Sequence, residues 1–429
     1  MMTASEVINR IHGSRETGKK SGLKNTGELM RVLGCEPSVP VIHVAGTNGK
    51  GSICAITESI LRHAGYRTGM YTSPFLQIYN ERIRIDGKPV RDEVLAEAGT
   101  ILFDAVDRLN GKEEHYFTPF ELGTALAFLI FRLQKTEIAV VEVGLGGRFD
   151  ATNAMNRVSV SAIGAIGMDH MQYLGNTPEE IAFEKAGIMK AGVPVVCHPA
   201  EDSVKEVFRR VSSEKGSPLV QTERSMILPA FSDARGSVAD FSCPDLKLKK
   251  LELSLPGAHQ LTNALTALSV IGELRRQGIT ISDTAVRDGC RNVFWPARLE
   301  WNRNVLIDGA HNVQGVTALA DFTEAHLAGR KIIMLIGVLT EKLTEEMIAQ
   351  IRRIGSEAIT VTPDYASRAM PADAFAEVLK HNGIRAAAAP SIEEGAQTAI
   401  RQAGTEGTVI AFGSLYFVGR LRTVLGLRP

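Results

Sequence analysis

The sequence has no excess charge of either sign, since 48 lysines and arginines balance 48 acids over its 429 residues. A dedicated nucleic-acid binder would carry a basic excess, so an anionic ligand must here be met by a local cluster of cations. Cysteine is scarce. Cys35, Cys54, Cys197, Cys243 and Cys290 are odd in number, lie far apart and form no CxxC pair. That is the pattern of reduced cytoplasmic thiols, and it offers neither a disulfide framework nor a zinc site. No uncharged apolar run reaches about 18 residues, which excludes an expected membrane span. The opening MMTASEVINRIHGS lacks the apolar core of a signal peptide. Internal repeats and low-complexity tracts are also missing, and disorder is excluded by 44% hydrophobic residues with balanced charge. The expectation is a soluble, cytoplasmic, globular protein of two or three domains, at about 150 residues per domain.

What is present is alternation. Apolar runs of strand length repeatedly precede segments of helical period, the signature of a mostly parallel α/β sheet flanked by helices. Residues 39–44 read as a buried strand, and Ile53, Ile56, Ile60 and Ala64 then keep helical spacing up to Gly65, a natural C′ residue. Further buried strands are expected at 68–71, 138–143, 158–166 and 193–196. Thr118-Pro119-Phe120-Glu121 and Thr177-Pro178-Glu179-Glu180 both place Thr at N-cap, Pro at N1 and Glu at N3, which predicts two helices opened by capping boxes. Over 218–255 the strict alternation in LKLKKLELSLPG suggests antiparallel strands with one wet face. A second α/β series follows Trp295-Pro296, with strands at 305–307, 331–336, 358–361 and 409–412. The expected domains are therefore 1–296 and 297–429, with a ligand cleft between them.

The strongest local feature is Gly46-Thr47-Asn48-Gly49-Lys50-Gly51-Ser52, between a predicted strand and a predicted helix. Glycines let backbone N–H groups approach phosphate oxygens, the helix N-terminus favours anions, Lys50 neutralises charge and Ser52 is placed to ligate Mg²⁺. The match to G-x-x-x-x-G-K-[ST] is imperfect, because Val44 replaces the first glycine and Gly51 separates Lys50 from Ser52. Glu142, at the end of an apolar strand, stands where a phosphate-loop enzyme needs its metal carboxylate. The following Gly144-Leu145-Gly146-Gly147 is a poor dinucleotide fingerprint, since Phe149 occupies a position that needs a small residue. Asp169-His170 is expected to close the next strand, bringing His170 to the edge that carries Ser52 and Glu142. Lys185, on the helix that starts at Pro178, reads by itself as a solvated surface lysine. His259 and Asn263 share a helical face, Arg298 lies at the domain junction, and Asp308-Gly309-Ala310-His311-Asn312 ends a strand.

Together HVAGTNGKGS, YTSPF, NERIRIDG, FELGTALAF, VEVGLGGRFDATN, MDHMQYLG, EKAGIMKAG, PGAHQLTNA, WPARLE, DGAHN and FGSLY resemble the folylpolyglutamate synthases, including bifunctional dihydrofolate synthases, of the Mur ligase superfamily. The resemblance spans about Ile42 to Val418. It implies a P-loop-type ATP-binding domain followed by a smaller Rossmann-like glutamate-ligase domain. The implied activity is an ATP-dependent amide ligase that joins L-glutamate to a folate, or to dihydropteroate, through an acyl phosphate. Carried over motif by motif, Asn48, Gly49, Lys50, Gly51 and Ser52 hold the phosphates, and Asn263, Arg298 and Asp308 contact the nucleotide. Ser52, Glu142 and His170 bind two Mg²⁺ ions, and Lys185 matches the lysine that the family carbamylates. His311 and Ser414 lie near the glutamate site, while Ser73 and the 74–84 loop, with Phe75 and Arg82, form the folate pocket. Lys50, Lys185, Asp308 and His311 are the implied catalytic set. Phe75 stands where His is common, Val313 where Pro is usual, and GVLTEKL lacks an Asp often found after its lysine. A monomer acting on small molecules is expected.

Two rivals remain at this point. A peptidoglycan-precursor Mur ligase would share the chemistry but carry an extra N-terminal domain for its UDP-sugar, and only 45 residues precede Gly46. A nucleotide-driven switch without ligase activity would have no use for Arg298, Asp308 and His311 on a second domain.

Overall fold

Strands that are apolar without interruption can be covered on both faces only inside a parallel sheet. The computed structural model, which describes residues 1–14, 23–110, 116–365 and 367–429, places them there. The first sheet contains β1 (Val41–Ala45), β2 (Thr68–Tyr71), β3 (Ile83–Ile85), β4 (Lys88–Pro89), β5 (Ile138–Glu142), β6 (Val160–Ile163), β7 (Val195–Cys197) and β8 (Leu219–Gln221). Its spatial order is β4-β3-β2-β5-β1-β6-β7-β8, parallel from β2 to β8 with an antiparallel edge made by β3 and β4. Val44 of β1 sits opposite both Glu142 and Ala162, so the C-terminal ends of β5, β1 and β6 lie side by side. The strand order reverses around β1, and such a switch point opens a crevice at that edge.

Helices Ala4–His12, Leu23–Val32, Asp92–Asn110 and Pro119–Leu133 cover one face of this sheet, while Lys50–His63 and Ala258–Arg276 cover the other. Ile53, Ile56 and Ile60 are wholly buried, each contributing about 1.5–3 kcal/mol, which explains why that helix is anchored so firmly behind its first turn. A three-stranded antiparallel sheet of β9 (Ile227–Asp233), β10 (Gly236–Cys243) and β11 (Leu246–Leu253) packs on the Ala258–Arg276 helix. In β11, Leu246, Leu248, Leu251 and Leu253 face inward and lysines face water. The third sheet has the order β12-β13-β17-β14-β15-β16, made from β12 (Glu300–Asn302), β13 (Val305–Ile307), β14 (Ile332–Ile336), β15 (Glu357–Thr360), β16 (Arg385–Ala388) and β17 (Thr408–Phe412). All of it is parallel except β12, in a Rossmann-like arrangement with its own switch between β14 and β17.

Several expectations change. The strand expected over 158–166 ends at Ile163, because Gly164 turns to lie against the phosphate loop, with its Cβ position 2.9 Å from the Asn48 carbonyl. Of the region 218–255, only 227–253 forms the antiparallel sheet, and 219–221 extends the parallel one as β8. Thr118 makes its capping box in full. Thr177 makes half of one: its hydroxyl accepts the Glu180 N–H at 3.2 Å, but the Glu180 carboxylate accepts from the Asn176 N–H at 2.6 Å instead. The five cysteines are buried and unpaired. Among the described residues no helix is long and apolar enough to cross a membrane.

Candidate active site

The loop after β1 is shaped by close approaches that only glycine permits. Gly49 has φ +82°, and a Cβ there would lie 2.3 Å from Asn263 Oδ1; a Cβ on Gly51 would lie 2.8 Å from the Trp295 indole nitrogen. The Thr47 N–H donates to the Ala165 carbonyl at 2.8 Å, and Thr47 Oγ1 donates to the Gly167 carbonyl at 3.0 Å, so the loop is braced by the segment after β6. Lys50 opens the helix rather than lying in the loop. Its Nζ donates to the Gly46 and Thr47 carbonyls at 3.0 and 3.2 Å and stands 4.0 Å from Glu142 Oε1. Ser52 Oγ is buried without a hydrogen-bond partner. A buried orphan hydroxyl on the first turn of a phosphate-binding helix fits a hard cation, which takes oxygen ligands.

Glu142 ends β5 and accepts from the Ser73 N–H at 3.1 Å. Burial raises its pKa against the pull of Lys50. The Gly144–Gly147 turn does not form a cofactor cradle. Asp150 accepts the Leu145 N–H at 2.9 Å, the Arg148 N–H donates to the Glu184 carbonyl at 3.0 Å, and Gly147 lies against the Lys185 carbonyl. The turn therefore docks on the helix Pro178–Ala186. Lys185 on that helix is 3% exposed, which overturns its reading as a surface lysine. Burial, with the nearby charge of Lys50, brings its ammonium down to about 7. His170 does not close a strand. It lies seven residues beyond β6, in the left-handed conformation (φ +52°) at the N-cap of the short helix Met171–Leu174. Burial lowers its pKa, opposed by Asp169, and both Lys50 and Lys185 are near enough to add to that lowering.

On the other side of the cleft, Asp308 directly follows β13 with both carboxylate oxygens committed to backbone, the Leu299 N–H at 2.9 Å and the Ala310 N–H at 2.8 Å. Arg298 Nη1 donates to the Ala297 carbonyl at 2.8 Å and lies against Gly309. His311 Nδ1 is 2.8 Å from the Gly309 carbonyl, so the ring must carry its proton there and leave Nε2 free. Burial lowers the His311 pKa and keeps the ring neutral. Ser414 is buried and caps the helix Leu415–Val424, accepting from the Tyr416 N–H at 3.3 Å. The Gly413 N–H donates to the Ala310 carbonyl, which sets Ser414 beside the His311 loop. Arg82 lies over the rings of Phe75 and Tyr79 at 5.4 and 5.5 Å, and its Nε is buried without a partner. A cavity bounded by Gly51, Ser73, Glu142, Trp295, Arg298 and Leu415 brings the start of the phosphate-loop helix, the Ser73 loop and the Trp295–Arg298 segment together, while His170, Lys185, Asp308, His311 and Ser414 are not in its lining.

The two sheet edges meet through Asn48, Asp169 and Asn312, which sequence reading places near the site, and through Gln314 and Lys342, which it leaves out. Asn312 Nδ2 donates to Asn48 Oδ1 and Asp169 Oδ2, both at 3.1 Å; Asn48 Nδ2 donates to Gln314 Oε1 at 2.6 Å; and Lys342 forms an ion pair with Asp169. Burial alone would raise the Asp169 carboxyl, but Lys342 holds it well below the usual carboxylate range. The only local signal was the lysine in GVLTEKL, and nothing in sequence spacing links it to Asp169. Among the described residues no three His, Cys, Asp or Glu side chains converge as a ready metal cluster.

Residues 44–271 match the Mur ligase middle domain, and residues 297–415 match the Mur ligase glutamate ligase domain. The chain is 34% identical to the dihydrofolate synthase/folylpolyglutamate synthase of Bacillus subtilis, covering 96% of each. It is 32% identical to the Escherichia coli protein of the same description, covering 95% of this chain and 92% of that one. Among solved structures, a Mycobacterium tuberculosis folylpolyglutamate synthase complexed with ADP superposes with a TM-score of 0.90 at 30% identity over 99% of both chains. Escherichia coli FolC in complex with DHPP and ADP superposes with a TM-score of 0.86 at 28% identity over 99% of this chain and 98% of that one.

Proposed function

This chain belongs to the dihydrofolate synthase/folylpolyglutamate synthase branch of the Mur ligases, and from that premise we propose how its residues divide the work. The enzyme is an ATP-dependent acid–amino acid ligase. The γ-carboxylate of a folate attacks the γ-phosphorus of ATP, releasing ADP and giving an acyl phosphate. The amine of L-glutamate adds to the acyl carbon, and the tetrahedral intermediate expels inorganic phosphate to leave the amide. The main obstacle is repulsion between carboxylate and triphosphate. The observation that carries the assignment is the facing of the two sheet edges, with Asn48 and Lys50 on one and Arg298 and His311 on the other.

In this reading the loop from Asn48 to Ser52 cradles the phosphates, Asn263, Arg298 and Asp308 shape the nucleotide site, and Lys50 neutralises the transferring phosphoryl group. Two Mg²⁺ ions, when bound, screen the remaining phosphate charge. Ser52, Glu142 and His170 would hold them, and the missing anionic ligand would come from Lys185. An amine brought down to about 7 is available as the free base. It adds CO₂ with loss of a proton to become an anionic carbamate, whereas an ammonium would repel the metal. The free Nε2 of His311 accepts a hydrogen bond from the incoming amine, with Ser414 beside the glutamate. Ser73, Phe75 and Arg82 line the folate pocket, which we extend to dihydropteroate. The enzyme works as a cytoplasmic monomer, bounded by residues 1–296 and 297–429.

The deciding experiment is ADP release. It should require a folate and L-glutamate together, and replacing the folate by dihydropteroate tests the second acceptor. ADP release that ignores both, or that answers only to a UDP-sugar peptide, would end this reading.

A further inference from the structure

Outside the residues just assigned, the largest fully buried side chain among the described residues is a cation. Arg422, 1% exposed, lies in the C-terminal helix and uses all three sides of its guanidinium. Nε donates to Gln77 Oε1 at 3.0 Å, Nη1 to Glu300 and Nη2 to the Arg428 carbonyl. These partners belong to three separate places. Gln77 sits in the loop after Ser73, Glu300 opens β12 directly after the domain joint, and Arg428 is in the C-terminal tail.

Each contact continues outward. Glu300 Oε2 also accepts the Ala297 N–H at 2.9 Å. Ala297 and Leu299, on either side of Arg298, have φ of +54° and +49°, a conformation that L residues adopt only when their surroundings force it. Glu300 holds the first of these residues and Asp308 the second. On the other arm, Gln77 Nε2 donates to Thr423 Oγ1 and the Leu427 carbonyl, and Gly419 approaches the Leu76 carbonyl so closely that no Cβ would fit. The N–H groups of Leu76, Gln77 and Ile78 all donate to the Glu81 carboxylate. The loop is thereby gripped between Glu81 and the C-terminal helix.

We propose that Arg422 is a positioning residue for the ligase, joining the 76–81 loop to the strained joint that presents Arg298. This rests on the reading that the loop belongs to the folate pocket and Arg298 to the nucleotide site. A buried ion pair adds little net stability over an apolar pair, because desolvation offsets its attraction. Its planar fork, however, fixes direction at three points, which a flexible ammonium cannot do.

The test is ADP binding to the full chain by calorimetry, alongside KM for tetrahydrofolate. Arg422→Met should unfold in one transition yet bind ADP about tenfold more weakly, since the joint is released from its strained conformation. Adding Ala297→Gly, which permits the left-handed bend without external support, should recover most of that loss. Arg422→Lys should keep the Glu300 contact and lose the one to Gln77. It should therefore bind ADP within about twofold of wild type while KM for tetrahydrofolate rises several-fold. Arg422→Met with unchanged ADP affinity and KM would overturn the proposal. If Arg422→Met does not fold, the Arg422→Lys split decides, and equal changes in both constants or in neither overturn it. Failure of the wild-type chain to bind ADP would instead strike at the nucleotide reading itself.

Discussion

The phosphate loop at 46–52 and the domain joint at 295–300 both send the backbone through the left-handed region, by different means. In the loop the left-handed positions are Gly46 and Gly49, and the bend is written into residues without side chains. In the joint they are Ala297 and Leu299, and carboxylates hold their N–H groups, Glu300 at the end of the joint for the first and Asp308, beyond β13, for the second. The first bend would form in a short peptide more readily than the second. One functional loop is thus built locally, and the other exists only in the assembled domain.

The largest effect expected on the loop side is that of Lys50→Ala. On the proposed reading it removes the cation that neutralises the transferring phosphoryl group, and it should lower turnover by about 10³-fold. Its side chain adds little to the core, so the melting temperature should stay near wild type. Turnover close to normal in a folded Lys50→Ala protein would remove the chemical reason for the loop.

Lys185→Ala should cost about 100-fold or more if the residue serves as an anionic metal ligand. The exposed-lysine alternative, already contradicted by burial, would cost a few tenths of a kcal/mol in stability and no activity. Partial recovery by a short carboxylic acid added in trans, and loss of a CO₂ mass adduct in acid, would mark the carbamate. A folded, fully active Lys185→Ala enzyme would discard it.

The comparison itself is tested by exchanging residue types. Gly49→Ala forces an L residue into the left-handed region, costing about 1–2 kcal/mol, and pushes on Asn263. ADP binding should fall with it. Ala297→Gly trades strain relief against chain entropy and should change stability by less than about 1 kcal/mol. Equal effects at the two positions, measured by denaturant unfolding, would erase the distinction.

An effect spread over several pH units comes from His43 in β1, beneath the loop. Its Nε2 lies 2.8 Å from Thr152 Oγ1, whose own proton goes to Asp150, so Nε2 carries a proton and donates it to Thr152. Burial lowers its pKa to about 3. The unfolded chain therefore binds a proton near pH 6.5 that the folded chain refuses until about pH 3. Nothing is lost above pH 6.5, and below it stability falls by about 1.4 kcal/mol per unit from this residue. His43→Gln should flatten the acid limb of an unfolding-versus-pH curve, and an unchanged slope would show that the ring is protonated in the fold.

Much of the first sheet was legible because burial on both faces demands uninterrupted apolar runs, as in 68–71, which forms β2 as read. The helix at Lys50 was legible for a similar reason, since Ile53, Ile56 and Ile60 mark one face. The two Thr-Pro-x-Glu starts show where such reading stops. Thr118 and Thr177 carry the same local pattern, yet only Glu121 returns to its own cap, because Glu180 finds the Asn176 N–H closer at hand. The short strands β3, β4, β12 and β16 escaped notice, and β8 was read as antiparallel, because such strands are defined by their neighbours rather than by their own composition.

By itself the sequence determined the features that depend on residues near one another along the chain. These include the glycine-built phosphate loop, the alternating strands and helices, and the motifs that place the chain among folate-acting Mur ligases. Only the tertiary structure decided that Lys185 is buried, that Asp169 pairs with Lys342 across 173 residues, and that Arg422 grips the joint and the 76–81 loop at once. The physical reason is that burial and long-range charge pairing depend on which surfaces meet, and no local spacing records that meeting.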